Sequence, residues 1–172
     1  MIPTLTSERL VLAPLGFVHS AGMFAMWSQP EVCRYSGPAA DYEGRPIRLP
    51  AATPSDSDGI IDFFVRSAAA GTRFRWAVLL DGAFAGAVGF NALGPCSEIA
   101  FHLRREFWGQ GLMSEAAGAA LQWLRERPDA REVEAFVDPA NLASIQLTER
   151  LGLRATGEAV DGVDRYLMVL AR

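Results

Sequence analysis

Residues 98–114 read Glu98-Ile99-Ala100-Phe101-His102-Leu103-Arg104-Arg105-Glu106-Phe107-Trp108-Gly109-Gln110-Gly111-Leu112-Met113-Ser114. The stretch 98–103 is expected to be a strand, and 112–127 to be a helix. A strand that runs through two glycines into a helix presents bare backbone N–H groups at the positive end of a helix dipole. Glycine also lacks the Cβ that would hold a phosphate away from those groups. Gly109, Gln110, Gly111, Leu112, Met113 and Ser114 therefore read as an anion cradle suited to a pyrophosphate. A Gly-x-Gly alone fits an empty turn equally well, so context has to decide. A Walker loop needs Gly-Lys-Ser/Thr, and here Leu112-Met113 follows Gly111. A dinucleotide fingerprint needs a third glycine where Ser114 stands. Acidic residues about twenty positions on (Glu132, Glu134) suit that fingerprint, but the repeated strand–helix units of such a domain are missing.

Working outward, the pattern predicts a strand over 8–14, a helix over 17–28, an irregular proline-bearing stretch over 29–54 and a helix ending near Gly71. A hairpin follows, with strands over 74–80 and 83–90 joined by Asp81-Gly82. Beyond the helix over 112–127 come a strand over 132–137, a helix over 141–151 stopped by Gly152, and a second hairpin around Asp161-Gly162. The plan is one α/β (α+β) domain spanning 1–172. Its sheet is mostly antiparallel, and the crossover from 98 to 137 inserts one parallel pair.

Composition narrows the function. Half of the 172 residues are hydrophobic and 21% are charged, enough for a sizeable core. A net charge of −4 argues against a nucleic-acid binder. All sixteen basic residues are arginine, which removes any Schiff-base or phosphate-loop lysine. Cys33 and Cys96 stand alone, without metal spacing, as reduced thiols would. No apolar run reaches the length of a membrane span, and the N-terminus lacks the basic start and apolar stretch of a secretory signal. The expectation is a cytoplasmic chain with no membrane partner, no nucleic-acid partner and no metal site.

A second segment, 137–153, places Asn141 and Ser144 three apart on the first turn of a helix and closes with Leu151-Gly152-Leu153. Asn141 also suits a simple helix cap. Together the two segments resemble the GNAT superfamily of N-acetyltransferases. Residues 5–12 and 107–116 resemble its RimJ/RimL branch. The resemblance implies a GNAT fold: a central mixed, mostly antiparallel sheet with a splayed parallel strand pair, and helices on both faces. It implies acetyl-CoA as cofactor, its pyrophosphate on Gly109 to Ser114 and its pantetheine arm along the backbone of Phe101, His102 and Leu103. Asn141 would hold the arm, and Ser144 would stand near the sulfur. Two departures stand out. The position three before the first glycine is Glu106, leaving Arg104 or Arg105 to meet a phosphate. The family's tyrosine acid, four before the closing glycine, is replaced by Thr148.

The implied reaction moves an acetyl group to a primary amine, either a protein N-terminal α-amine, such as that of a ribosomal protein, or a small amine. The amine must be neutral to attack, and Glu98 and His102 share a strand face where either can serve as base, directly or through a water. Surface charge for Glu98 and a steric wall for His102 are the alternative readings. Ser144 is the candidate proton donor to the leaving thiolate. A different class also fits: a non-catalytic acyl-CoA sensor that keeps the cradle and lacks the acid. The chain is expected to work as a monomer or homodimer. Trp27, Tyr35, Tyr42, Asp41 and Glu43 are candidates for an acceptor wall, with core packing or solvated charge as their alternatives.

Overall fold

The computed structural model describes residues 1–171. The chain begins with β1 (Leu5–Thr6) and β2 (Leu10–Pro14), then a 3-10 turn (Phe17–His19), α1 (Ser20–Trp27) and α2 (Pro30–Cys33). A small hairpin of β3 (Ala39–Ala40) and β4 (Pro46–Ile47) leads to α3 (Pro54–Ala69). Next come β5 (Phe74–Leu80), β6 (Ala83–Ala92), β7 (Cys96–Leu103), α4 (Leu112–Arg125) and β8 (Glu132–Val137). The chain closes with α5 (Leu142–Arg150), β9 (Arg154–Val160) and β10 (Val163–Val169).

Local chemistry explains these boundaries. Proline occupies the first position of both α2 and α3, where its missing N–H costs nothing. Asp56 closes the start of α3 by accepting from the Thr53 and Ala52 N–H groups at 3.0 and 2.8 Å. Both Asp-Gly hairpins have positive φ at each central residue, the type I′ geometry that matches strand twist. The 29–54 stretch is less irregular than its prolines imply. In the turn between β3 and β4, Asp41 accepts from the Arg45 backbone N–H and guanidinium at 2.9 and 2.7 Å.

Eight strands form one sheet in the order β1-β2-β5-β6-β7-β8-β10-β9. Every neighbouring pair is antiparallel except β7 and β8. One face carries α4 and α5 over a core that includes Leu12, Trp76, Phe90, Ile99, Leu121 and Val133. The other carries α1 to α3 over a second core around Met23, Met26, Trp27, Ile61 and Ala87. Trp27 belongs to this core, the alternative to its reading as an acceptor wall. Among the described residues no helix is long and apolar enough to cross a membrane.

The parallel pair governs the rest. β7 and β8 are in register only from Cys96↔Glu132 to Glu98↔Glu134. Beyond that point β7 follows β6 as far as Leu103, while β8 follows β10 as far as Val137. The sheet therefore opens into a wedge between two well-anchored halves.

On the α4 face, Phe74, Trp76, Phe90 and Trp123 form a cluster of tilted and edge-on rings with centroids 4.6–6.4 Å apart. Phe90 is fully buried. Phe90→Ala is expected to lower the unfolding free energy by about 3–5 kcal/mol, read by chemical denaturation.

Candidate active site

The glycine turn has the geometry its sequence implies. Gly109 and Gly111 have φ of 74° and 73°, and Gly111 is the N-cap of α4 with no side-chain cap. A Cβ built at Gly109 would meet nothing within 4 Å, and one at Gly111 only the Arg9 guanidinium at 3.6 Å. The space before the turn is open. The backbone N–H groups of residues 109–114 meet no acceptor among the described residues.

The turn is fixed from behind by residues the sequence reading did not single out. Glu115, in the first turn of α4, accepts from the Ser7 hydroxyl at 2.6 Å and from the Arg9 N–H and Nε at 2.7 Å each. Arg9 also donates to the Gln110 carbonyl at 2.9 Å. That bond holds the carbonyl toward Arg9 and leaves the amides on the other side. Burial pushes the Glu115 carboxyl up, but the donors from Ser7 and Arg9 hold it below the usual range. From α5, Arg150 donates to the Ser114 hydroxyl at 2.8 Å. Arg9 and Arg150 are thus the cations flanking the glycine turn. The predicted candidates are engaged elsewhere. Arg104 donates to the Phe84 carbonyl at 3.1 Å and pairs with Glu106 at 3.3 Å, and Arg105 pairs with Glu31 at 2.7 Å. The missing signal is long-range, since Arg9, in the turn between β1 and β2, lies far from the glycines in sequence and a lone arginine there has no local signature.

The wedge receives the open edge of β7. The Arg104 N–H bonds to the Ala85 carbonyl on β6 at 2.8 Å. Backbone groups alternate along a strand, so those of His102 also face β6, while those of Phe101 and Leu103 face the wedge. Of the three predicted backbone contacts, His102 is the one turned away, and its contribution is its side chain. The Leu103 carbonyl already accepts from the Trp108 indole at 2.8 Å. Phe101 keeps both backbone groups toward the gap.

Side chains alternate too. Ile99, Phe101 and Leu103 join the α4 core, so Glu98 and His102 face the side of α1 to α3. Glu98 stands at the last paired position, at the mouth of the wedge. Asn91 donates to its Oε1 at 2.6 Å. The His102 ring lies on Trp27 with centroids 4.5 Å apart. The candidate acceptor-wall charges are engaged: Asp41 pairs with Arg45, and Glu43 with Arg66. Arg66 also covers the Tyr42 ring at 3.9 Å.

On the far side of the wedge, Asn141 caps α5 by accepting from the Ser144 N–H at 3.2 Å, the simpler of its two expected uses. Its side-chain N–H₂ remains available. Ser144 is half-buried one turn along, and Thr148 follows a turn later, 1% exposed with no partner for its hydroxyl among the described residues. Asn141, Ser144 and Thr148 form one polar stripe at helical spacing.

Comparison with known proteins agrees with this architecture. A family model described as an acetyltransferase (GNAT) domain matches residues 9–154. The chain is 26% identical over 159 residues to the uncharacterized N-acetyltransferase p20 of Bacillus licheniformis, covering 90% of this chain and 84% of that one. It superposes on RimL, a ribosomal L7/L12 alpha-N-protein acetyltransferase solved with coenzyme A, with a TM-score of 0.82 and 18% identity over 98% of each chain. It also superposes on the microcin C7 self-immunity acetyltransferase MccE, solved with acetyl-CoA and AMP, with a TM-score of 0.78 and 17% identity over 95% of this chain and 93% of that one. The family match, the parted strand pair and the glycine turn agree: the chain belongs to the acetyltransferase (GNAT) domain family and is an N-acetyltransferase of that fold.

Proposed function

We propose that this chain transfers an acetyl group from acetyl-CoA to a primary amine, with a protein or peptide α-amine as the favoured acceptor, in the manner of the RimJ/RimL branch. The observation that carries the reading is the set of acceptor-free amides at 109–114 beside a wedge edged by the Phe101 backbone. The site residues fit acetyl-CoA. The 109–114 amides, with Arg9 and Arg150 beside them, suit a pyrophosphate. The Phe101 backbone suits an amide-bearing arm added as a strand. The Asn141 side-chain N–H₂ is a donor to that arm. When bound, acetyl-CoA supplies an activated acyl carbon on a thioester.

Glu98 is the base in this reading. It takes the proton of the incoming amine directly or through a water, at the mouth of the wedge. An α-amine, with an ordinary pKa of about 7.7–8.0, needs less help than a lysine side chain at about 10.4. The Phe101 N–H, which faces the gap, would be available as a donor to charge developing on the acyl oxygen. The Ser144 hydroxyl serves the leaving thiolate, whose ordinary pKa of about 8.5 already makes it a fair leaving group. His102 is the wall rather than the base. Burial, with a smaller push from the nearby Arg75 cation, lowers its pKa from 6.5 to about 3, although part of the residue reaches solvent. So weak a base is poorly matched to a neutral-pH proton transfer. The enzyme in this reading is cytoplasmic and acts as a monomer or homodimer.

Four outcomes are expected. Acetyl-CoA should release thiol with N-terminal peptides but not with their α-formylated forms. Glu98→Gln should lower kcat about 100-fold or more with unchanged acetyl-CoA affinity by calorimetry. Binding without thiol release for any amine would instead support the non-catalytic sensor. Gly111→Trp should abolish the calorimetric signal for acetyl-CoA while circular dichroism stays that of the folded chain, because the new side chain is strained at this φ and fills the turn. The fourth outcome concerns stability. Between pH about 3 and 6.5 the unfolded chain protonates His102 and the folded chain does not, so stability should fall as pH falls through that window. His102→Phe should flatten this part of the pH–stability curve relative to the parent, and parallel curves would contradict it.

A further inference from the structure

A chain of polar side chains crosses three adjacent strands on the acceptor face. Arg75 of β5 is 6% exposed. Its Nη1 donates to the Phe74 carbonyl at 3.1 Å and its Nη2 to the Asn91 Oδ1 at 2.5 Å. The Phe64 ring of α3 covers the guanidinium at 4.1 Å. Asn91 of β6 then donates through Nδ2 to the Glu98 Oε1 at 2.6 Å. Oε2 of Glu98 has no partner among the described residues.

Two features of the sheet build this line. Arg75 pairs across the strands with Gly89, and Gly89 with Ala100, so the row beside the guanidinium carries nothing larger than a methyl. The register between β6 and β7 shifts between Phe90 and Ala92, a bulge at Asn91. Bulges re-aim a side chain out of the regular alternation. Here the side chain bridges a buried cation and a carboxylate at the wedge mouth. The amide has one satisfactory orientation, because a guanidinium only donates and an ionised carboxylate only accepts. A buried guanidinium is costly unless its charge is compensated, and Glu98 is the carboxylate that compensates it.

We propose that Arg75 and Asn91 are positioning residues for the reaction: they clamp Oε1 of Glu98 through the Asn91 amide and leave Oε2 directed to the acceptor amine or its water. The inference rests on Glu98 acting as the base. Arg75 remains a cation at neutral pH, since burial, partly offset by Glu98, lowers its pKa only to about 9. The relay is thus always polarised toward the carboxylate. The charges of the 39–47 hairpin do not share this role, because Asp41 is tied to Arg45 and Glu43 to Arg66 of α3.

The test is a kinetic comparison on the intact chain, reading thiol release from acetyl-CoA with N-terminal peptides and with water as acyl acceptors. Asn91→Ala and the isosteric Asn91→Asp should each lower kcat about ten- to a hundredfold while KM for acetyl-CoA stays unchanged. Asn91→Asp is included because it conserves volume and sets a carboxylate against Glu98. Adding Asn91→Ala to Glu98→Gln should cause no further loss, because the amide would then have no base to position. Arg75→Lys, which keeps the charge, should retain more kcat than Arg75→Gln. Full kcat in both Asn91 variants, with Glu98→Gln impaired, would overturn the positioning role and leave the base intact. Losses that multiply in the double variant would also overturn it. Full kcat in Glu98→Gln would remove the base and the relay together.

Discussion

The parting of β7 from β8 is the constraint on which the site depends. The two strands are held together only at their beginnings, where the Arg131 and Glu132 N–H groups both donate to the Pro95 carbonyl. Above Glu98 and Glu134 each strand is secured by its antiparallel neighbour on the other side. Neither half of the sheet has to bend to close the gap. Backbone polar groups facing the gap lack a ladder partner, and such groups favour an amide-bearing ligand that completes the sheet. The wedge is therefore structural and chemical at once.

The cradle depends on a second, quieter constraint. Two left-handed glycines make a turn that has no reason of its own to stay in one shape. The Arg9–Glu115 pair, with Ser7 on the same carboxylate, ties it to the turn between β1 and β2. The pair is half exposed on the arginine side, so its contribution to overall stability is small. Its effect is local: it fixes one carbonyl and thereby the direction of the neighbouring amides.

Much of the plan was legible in the chain. Both hairpins, the helix after the glycines, the short strand at 132–137 and the helix over 142–150 follow from periodicity and turn chemistry, which act between near neighbours. The GNAT resemblance was likewise carried by local segments. The cations beside the cradle were not legible: Arg104 and Arg105 are near in sequence but turn to Phe84, Glu106 and Glu31. Nor was the bulge at Asn91, because it lies one residue from the end of β6 and leaves too little strand beyond it to disturb the visible alternation.

The sequence by itself determined the main helices and hairpins and the glycine turn, because each depends on backbone preference and spacing within one segment. Tertiary structure decided which backbone groups face the gap, which arginines reach the cradle, and that Glu98 is clamped while His102 is packed against Trp27. Those outcomes depend on strand register and on charges brought together from distant segments. A side chain's chemistry follows from its neighbours, and only folding assigns them.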